Sequence, residues 1–268
     1  MKNEAFTSGE RTAYLNKREH DNHIEKICAD YVDKHLYQYG TMFTYERLNG
    51  TDEATKKRQL NGEDIVVIRD GQITNRIDEK AKVYGLLNRV ITYPSFEILC
   101  RNQYGTDHFE SWFVSPTNTT TDYALISIGT KKPVEPGNEW ELEESDICRM
   151  VYARINRKRL HDWVESQTGK TIKQITEDAW QLLRDYRGAL FPQSTNTVKV
   201  YCKDRIGNWL YLKLSDQKRE MPVNLIIRRD YLRKYDLINE LYLDDDVKIR
   251  KYEPPERFER EEKLYKQN

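Results

Sequence analysis

Hydrophobic positions along the chain change period several times, and each change marks an element. From Thr12 to about Tyr39, "TAYLNKREHDNHIEKICADYVDKHLYQY" spaces Ile24, Ile27, Tyr31 and Leu36 at near-helical intervals, with Gly40 as a stop signal. One long amphipathic helix is predicted. "TMFTYERLN" reads as a short strand, "GTDEATKKRQLNGE" as a polar loop, and the β-branched run in "DIVVIRD" as a second strand. Asp70-Gly71 is a hairpin turn pair. It returns the chain through "QITNRIDEKAKV", a strand expected to give way to a short helical or irregular piece around Val83 to Asn88. "SFEILCRNQYG", "HFESWFVSP" and "TDYALISIG" follow as strand-like runs separated by Gly, Asn and Pro, so the first half reads as a helix and then a sheet of about six strands.

Past the acidic, Pro/Gly-rich loop "TKKPVEPGNEWELEESD", the run "DICRMVYARI" resumes a strand that can rejoin the same sheet. "NRKRLHDWVESQTGKTIKQITEDAWQLLRDYRG" predicts two helices around Thr168-Gly169, stopped at Gly188. "NTVKVYCKDRIGNWLYLKLS" predicts a hairpin, "MPVNLIIRRD" a strand and "YLRKYDLINELYL" a helical tail, with fraying expected beyond about residue 252. The fold class is therefore α/β. The acidic loop marks the expected division: a core at 1–130, an α+β region at 131–252 that can be continuous with the core and contact substrate, and a charged tail at 253–268.

Composition narrows the function classes. With 18 Tyr, 5 Trp and a 38% hydrophobic share, the chain has the material for a full core. No apolar run approaches the roughly 18 residues of a membrane span, and the first twenty residues lack the apolar middle of a signal peptide, so no membrane partner is expected. Cys28, Cys100, Cys148 and Cys202 are widely spread and form neither a C-x-x-C pair nor a Cys/His cluster, which fits a reducing cytoplasm. Net charge is zero, but residues 1–149 hold 19 Lys/Arg against 25 Asp/Glu while residues 150–268 hold 25 against 19. An acidic half beside a basic half is compatible with a cation-binding centre next to a polyanion grip, and equally with ordinary surface solvation.

The hairpin at 58–83 carries charge where a sheet usually carries apolar residues. Side chains two apart on a strand share a face, so Asp78 and Lys80 project together and Glu79 projects oppositely. With Asp64 on the same side, two carboxylates and one ammonium converge. Hydrolysis of a phosphodiester needs charge neutralised on the phosphate, a hydroxide generated and a departing alkoxide stabilised, and Mg²⁺ does all three with one or two carboxylates to hold it. In this reading Asp64 and Asp78 hold Mg²⁺ or Mn²⁺, and Lys80 orients the attacking water or offsets transition-state charge. An exposed strand shows the same alternation.

The spacing D-x(13)-D-x-K resembles the signature of the PD-(D/E)xK nuclease superfamily, and the order helix, three strands, short helix, strand resembles its core. "KREHDNHIEKICADYV", "QLNGEDIVV", "IDEKAKV", "SFEILCRNQYG" and "WFVSPTNTTTDYALIS" resemble a poorly characterised bacterial and phage group within that superfamily, with similarity extending into "HDWVESQTGKTIKQI" and "MPVNLIIRRDYL". The resemblance implies a restriction-endonuclease-like core, in which a mixed sheet lies between helices, with additional C-terminal α+β elements. It assigns Asp64, Asp78 and Lys80 to the catalytic positions. Glu97 corresponds to a further acid at the metal, and Glu25 on the first helix resembles an accessory acid. Gln59, which touches phosphate or caps a turn, and Glu79 complete the accessory set.

Other motifs are weaker. His20 and His23 lie on one helix face without a third metal ligand, and "GKT" at 169–171 sits between helices instead of after a strand. Arg157, Lys158, Arg159, Lys170 and Lys173 can form a basic helical pair against a nucleic-acid backbone, or can cover apolar surface with their stems. The five Trp read as core or semi-buried anchors. The expected function is a metal-dependent nuclease acting on nucleic acid, DNA ahead of RNA, and compatible with a homo-oligomer. The alternatives are an inactive nuclease-fold protein that binds nucleic acid or a protein partner, and an inhibitor whose acidic half imitates nucleic acid.

Overall fold

The computed structural model describes residues 23–39, 44–48, 50, 52–53, 55, 58, 63–83, 91–101, 107–131, 141–188, 197–215, 221–244 and 250–251. The chain opens with helix α1 (23–35), closed by a 3-10 turn at Tyr37–Tyr39. Strands β1 (Thr44–Arg47), β2 (Ile65–Arg69) and β3 (Gln72–Val83) follow as an antiparallel meander. The β2–β3 turn has the predicted residues in the predicted geometry: Asp70 and Gly71 both take positive φ, 52° and 75°, which matches the twist of a two-residue hairpin.

Strands β4 (Ser95–Arg101) and β5 (His108–Glu110) come next, then β6 (Asp122–Thr130) and β7 (Ile147–Asn156). Helices α2 (Arg157–Thr168) and α3 (Ile172–Gly188) meet at Gly169, a left-handed cap with φ 66° that explains the glycine of the "GKT" run. The chain then forms β8 (Val198–Lys203), β9 (Asn208–Leu214), β10 (Val223–Ile227), a short α4 (Arg229–Lys234), β11 (Ile238–Asp244) and β12 (Arg250–Lys251).

These strands form two sheets. The first has seven strands in the order β1-β2-β3-β6-β7-β11-β12, antiparallel except for the parallel β3–β6 pair. The second has five, β5-β4-β10-β9-β8, all antiparallel. The architecture is α/β with a mixed sheet, and β6 shows why the sequence reads as a continuous apolar run there. Its nine residues are all buried, with Ala124, Ile126 and Ile128 packed towards α1 and Tyr123 and Leu125 towards the second sheet. One core sets Ile27, Cys28, Tyr31 and Val32 of α1 against Ile65, Val67 and Ile77. The other joins the opposite face of the first sheet to Phe96, Ile98, Leu212 and Leu225 of the second, together with α2 and α3.

The strand after the acidic loop rejoins the first sheet, the continuity the sequence allowed: β7 pairs with β6 across 130/131, and both sheets draw strands from both halves of the chain. Two expectations are corrected by this topology. The predicted six-strand N-terminal sheet splits, because β4 and β5 leave it for the second sheet. The predicted helical tail at 231–243 is helical only through Lys234; Asp236 then turns with φ 53° and "INELYLD" pairs with β7 as β11. Pairing with an open sheet edge outweighed local helical periodicity. The short piece expected at Val83 to Asn88, the first turns of the N-terminal helix and the frayed tail lie mostly or wholly outside the described residues. Among those residues, no helix is long and apolar enough to cross a membrane.

Candidate metal centre

The hairpin brings the three predicted side chains together. Asp64 sits just ahead of β2, pinned between its neighbours: its N–H donates to the Ile77 carbonyl at 2.9 Å, and its own carbonyl accepts from Leu48 at 2.8 Å. The Ile65–Ile77 register carries it alongside Asp78. One Asp64 oxygen accepts the Glu79 N–H at 2.7 Å, so the backbone of β3 orients this carboxylate. Asp78 Oδ1 accepts from Lys80 Nζ at 3.1 Å. Among the described residues Asp78 Oδ2 is buried and has no hydrogen-bond partner, while the Asp78 carboxyl when protonated can share its proton with Asp64.

Charge and burial explain the titration of the group. The Asp78 side chain is 4% exposed, and burial pushes its carboxyl from 3.8 up to about 7. Lys80 opposes that shift and Asp64 reinforces it. For Lys80, desolvation pulls the ammonium down, but Asp78, Asp64 and Glu25 more than reverse it, and the net shift is upward. Lys80 is 45% exposed, and its ammonium lies 5.1 Å from the centroid of the Trp112 ring. Trp112 in turn meets Tyr123 edge-on at 4.9 Å, and Tyr123 neighbours Asp78 across the β3–β6 pair. The site is thus a carboxylate pair with one cation at its open side and an aromatic wall beside it.

The remaining predicted residues divide. Glu25, exposed on α1, contributes to the field at Lys80. Glu79 faces away, as its strand position requires. Tyr37 Oη donates to it at 2.7 Å and Arg47 at 2.7 Å, while Arg47 also makes a two-point contact with Asp33, so Glu79 fastens α1 and β1 to the back of the hairpin. These contacts give Glu79 a structural role on the face opposite Asp78. Glu97 stands on β4 in the second sheet and accepts from Ser111 Oγ. Among the described residues no three His, Cys, Asp or Glu side chains are grouped to hold a metal, so Glu97 is not assembled with Asp64 and Asp78 as a third ligand. Gln59 lies outside the described residues.

Four of the five predicted nucleic-acid contacts are engaged within the protein. Arg157 donates to the carbonyls of Phe113, Ser115 and Asn118, clamping the loop that carries Trp112. Lys158 pairs with Asp162 one turn on, Arg159 donates to the Asp236 carbonyl, and Lys170 shares Asp178 with Lys199 and Tyr201. Lys173 is exposed on α3.

Sequence reasoning missed a group at the rim. Glu63, buried beside Asp64, accepts from Arg58 Nε at 3.0 Å and Nη2 at 2.9 Å, from Thr119 Oγ1, and pairs with Arg76 at 3.5 Å. Arg76 precedes Asp78 by two residues, so the period-two rule that joins Asp78 to Lys80 also puts Arg76 on that face. Comparison with family models, with curated proteins and with solved structures finds no match to this chain.

Proposed function

We propose that this protein is a divalent-metal-dependent nuclease with a restriction-endonuclease-like core, hydrolysing phosphodiester bonds in DNA ahead of RNA. The observation that carries the reading is the orphaned Asp78 oxygen. A carboxylate buried beside a second carboxylate, with one acceptor atom unsatisfied, is costly unless a cation or proton completes it. The donor set fits Mg²⁺ or Mn²⁺, hard ions commonly held by one or two carboxylates plus water and phosphate. The mixed sheet, with a hairpin followed by a parallel neighbour and a helix packed on one face, is compatible with the core that the motif resembles.

Asp64 and Asp78 are the residues that would hold the metal, which when bound lowers the pKa of water and neutralises charge on the phosphate. Asp64 is oriented by the Glu79 amide, and Asp78 is held by burial and by Lys80. Lys80 keeps its proton throughout the neutral range, so it acts as a hydrogen-bond donor and fixed charge towards the developing oxyanion, not as the base. Trp112 packs beside the ammonium and limits where it can swing.

The test is a cleavage panel. Purified protein is incubated with plasmid, linear duplex, single-stranded DNA and RNA, with Mg²⁺, Mn²⁺ or EDTA. Cutting that needs the metal and is lost in Lys80→Ala supports the reading. Cutting that survives Lys80→Ala removes the mechanism, and retention of nucleic acid without cutting in any metal favours the inactive binding protein.

A further inference from the structure

Arg157 and Lys170 hold parts of the protein together, and the hairpin itself carries two further cations, Arg58 and Arg76, beside its carboxylates. We propose that Arg58 and Arg76 form a phosphate subsite that grips a backbone phosphate adjacent to the one at Asp64 and Asp78. This rests on the hairpin being a phosphodiester site. Along one face of β3, Arg76, Asp78 and Lys80 follow at two-residue steps of about 6.6 Å, a cation, an anion and a cation in line. A strand whose phosphate lies at the central carboxylates meets a positive group on either side.

The guanidiniums are built into place. Arg58 and Arg76 both converge on Glu63, whose side chain is 5% exposed, while each arginine is itself 35% exposed. Glu63 is saturated by Arg58 on one oxygen and by Thr119 and Arg76 on the other. Two cations on one anion leave a net positive charge at the rim. Among the described residues the contacts to Glu63 use Nε and Nη2 of Arg58 and Nε of Arg76, and the other guanidinium donors have the geometry for a planar two-point contact with phosphate oxygens. Glu63 acts as the anchor that holds both arginines in place.

The experiment measures binding of a short labelled duplex DNA, and in parallel a single-stranded RNA, by anisotropy in EDTA between 50 and 200 mM salt. The variants are Arg58→Gln/Arg76→Gln and the same pair with Glu63→Gln, which avoids stranding a buried carboxylate. Each phosphate contact on duplex DNA contributes about 0.9 to the log–log salt slope. The double and triple variants should therefore lower the slope by about 1.8, so that wild type loses about 12-fold more affinity than they do across that salt range. An unchanged slope in a variant that retains wild-type circular dichroism overturns the subsite, as does failure of the wild type to bind either nucleic acid. A lowered slope in a protein that does not cut under Mg²⁺ keeps the subsite and removes the cleavage reading. Cutting with an unchanged slope does the reverse. Which of the two nucleic acids shows the slope change identifies the backbone held.

Discussion

Replacing Asp78 with Asn should make the metal-free protein more stable at alkaline pH, although it removes a residue assigned to the site. The Asp78 carboxyl is 4% exposed and rises from 3.8 to about 7 on folding, with burial the main cause. At 1.36 kcal/mol per pH unit, holding that group ionised costs about 4 kcal/mol above pH 7. The sign follows from linkage: below pH 3.8 the carboxyl is neutral in both states and costs nothing. Between 3.8 and about 7 the unfolded chain gives up the proton while the folded one keeps it, so stability falls as pH rises. Above about 7 the whole cost is present. A buried amide carries its own unsatisfied group, worth about 1–3 kcal/mol, but that contribution does not titrate. The stability difference between Asp78→Asn and wild type should therefore move by about 4 kcal/mol in the variant's favour between pH 4 and pH 8. Urea unfolding in EDTA at the two pH values reads it directly. Mg²⁺ at 100 times its dissociation constant should then restore about 2.7 kcal/mol to wild type and nothing to the variant. A difference independent of pH would refute the argument, because it would mean that the ionised carboxylate is already satisfied without a cation.

Further outcomes follow from the same geometry. On the proposed reading Mg²⁺ must displace the Asp78 proton, so its apparent affinity, measured by calorimetry, should improve about tenfold per pH unit up to about pH 7 and level off above it. Lys80→Ala should lower single-turnover cleavage by about 10²- to 10³-fold, as loss of one preorganised donor does, and should also destabilise the metal-free fold above pH 7 in urea titrations, because it removes the cation that offsets the buried Asp78 carboxylate. Arg47→Leu leaves Glu79 and Asp33 without their shared cation and should destabilise the fold by about 3 kcal/mol in urea titrations, with Mn²⁺ affinity unchanged in the folded fraction. Trp112→Ala should raise the cleavage rate's sensitivity to salt while Trp112→Phe preserves wild-type behaviour, since an aromatic face beside the ammonium is worth about 0.5–1 kcal/mol at a partly exposed site.

The site was legible in the sequence where strand geometry alone fixed it. The Asp70-Gly71 turn set the hairpin, the period of two joined Asp78 to Lys80 and sent Glu79 the other way, and each of these is local. What the sequence concealed was long-range. Whether β4 extends the first sheet or founds a second depends on partners more than a hundred residues away, in β10, and that choice set Glu97 apart from Asp64 and Asp78. Arg157 reads as a free cation until the loop at 113–118 folds against it. Ile238 and Leu241 read as helix until β7 offers an edge. Arg76 was available to the same period-two argument as Lys80, but a motif that begins at the acid draws the eye past the residue before it.

If Asp64 and Asp78 together hold a divalent cation, Mn²⁺ titration followed by electron paramagnetic resonance at pH 8 reads the occupied site. Wild type should bind Mn²⁺ at a site lost in both Asp64→Asn and Asp78→Asn and retained in Glu97→Gln. Binding that persists in both aspartate variants, or no binding by the folded wild type, rules out a cation shared by Asp64 and Asp78.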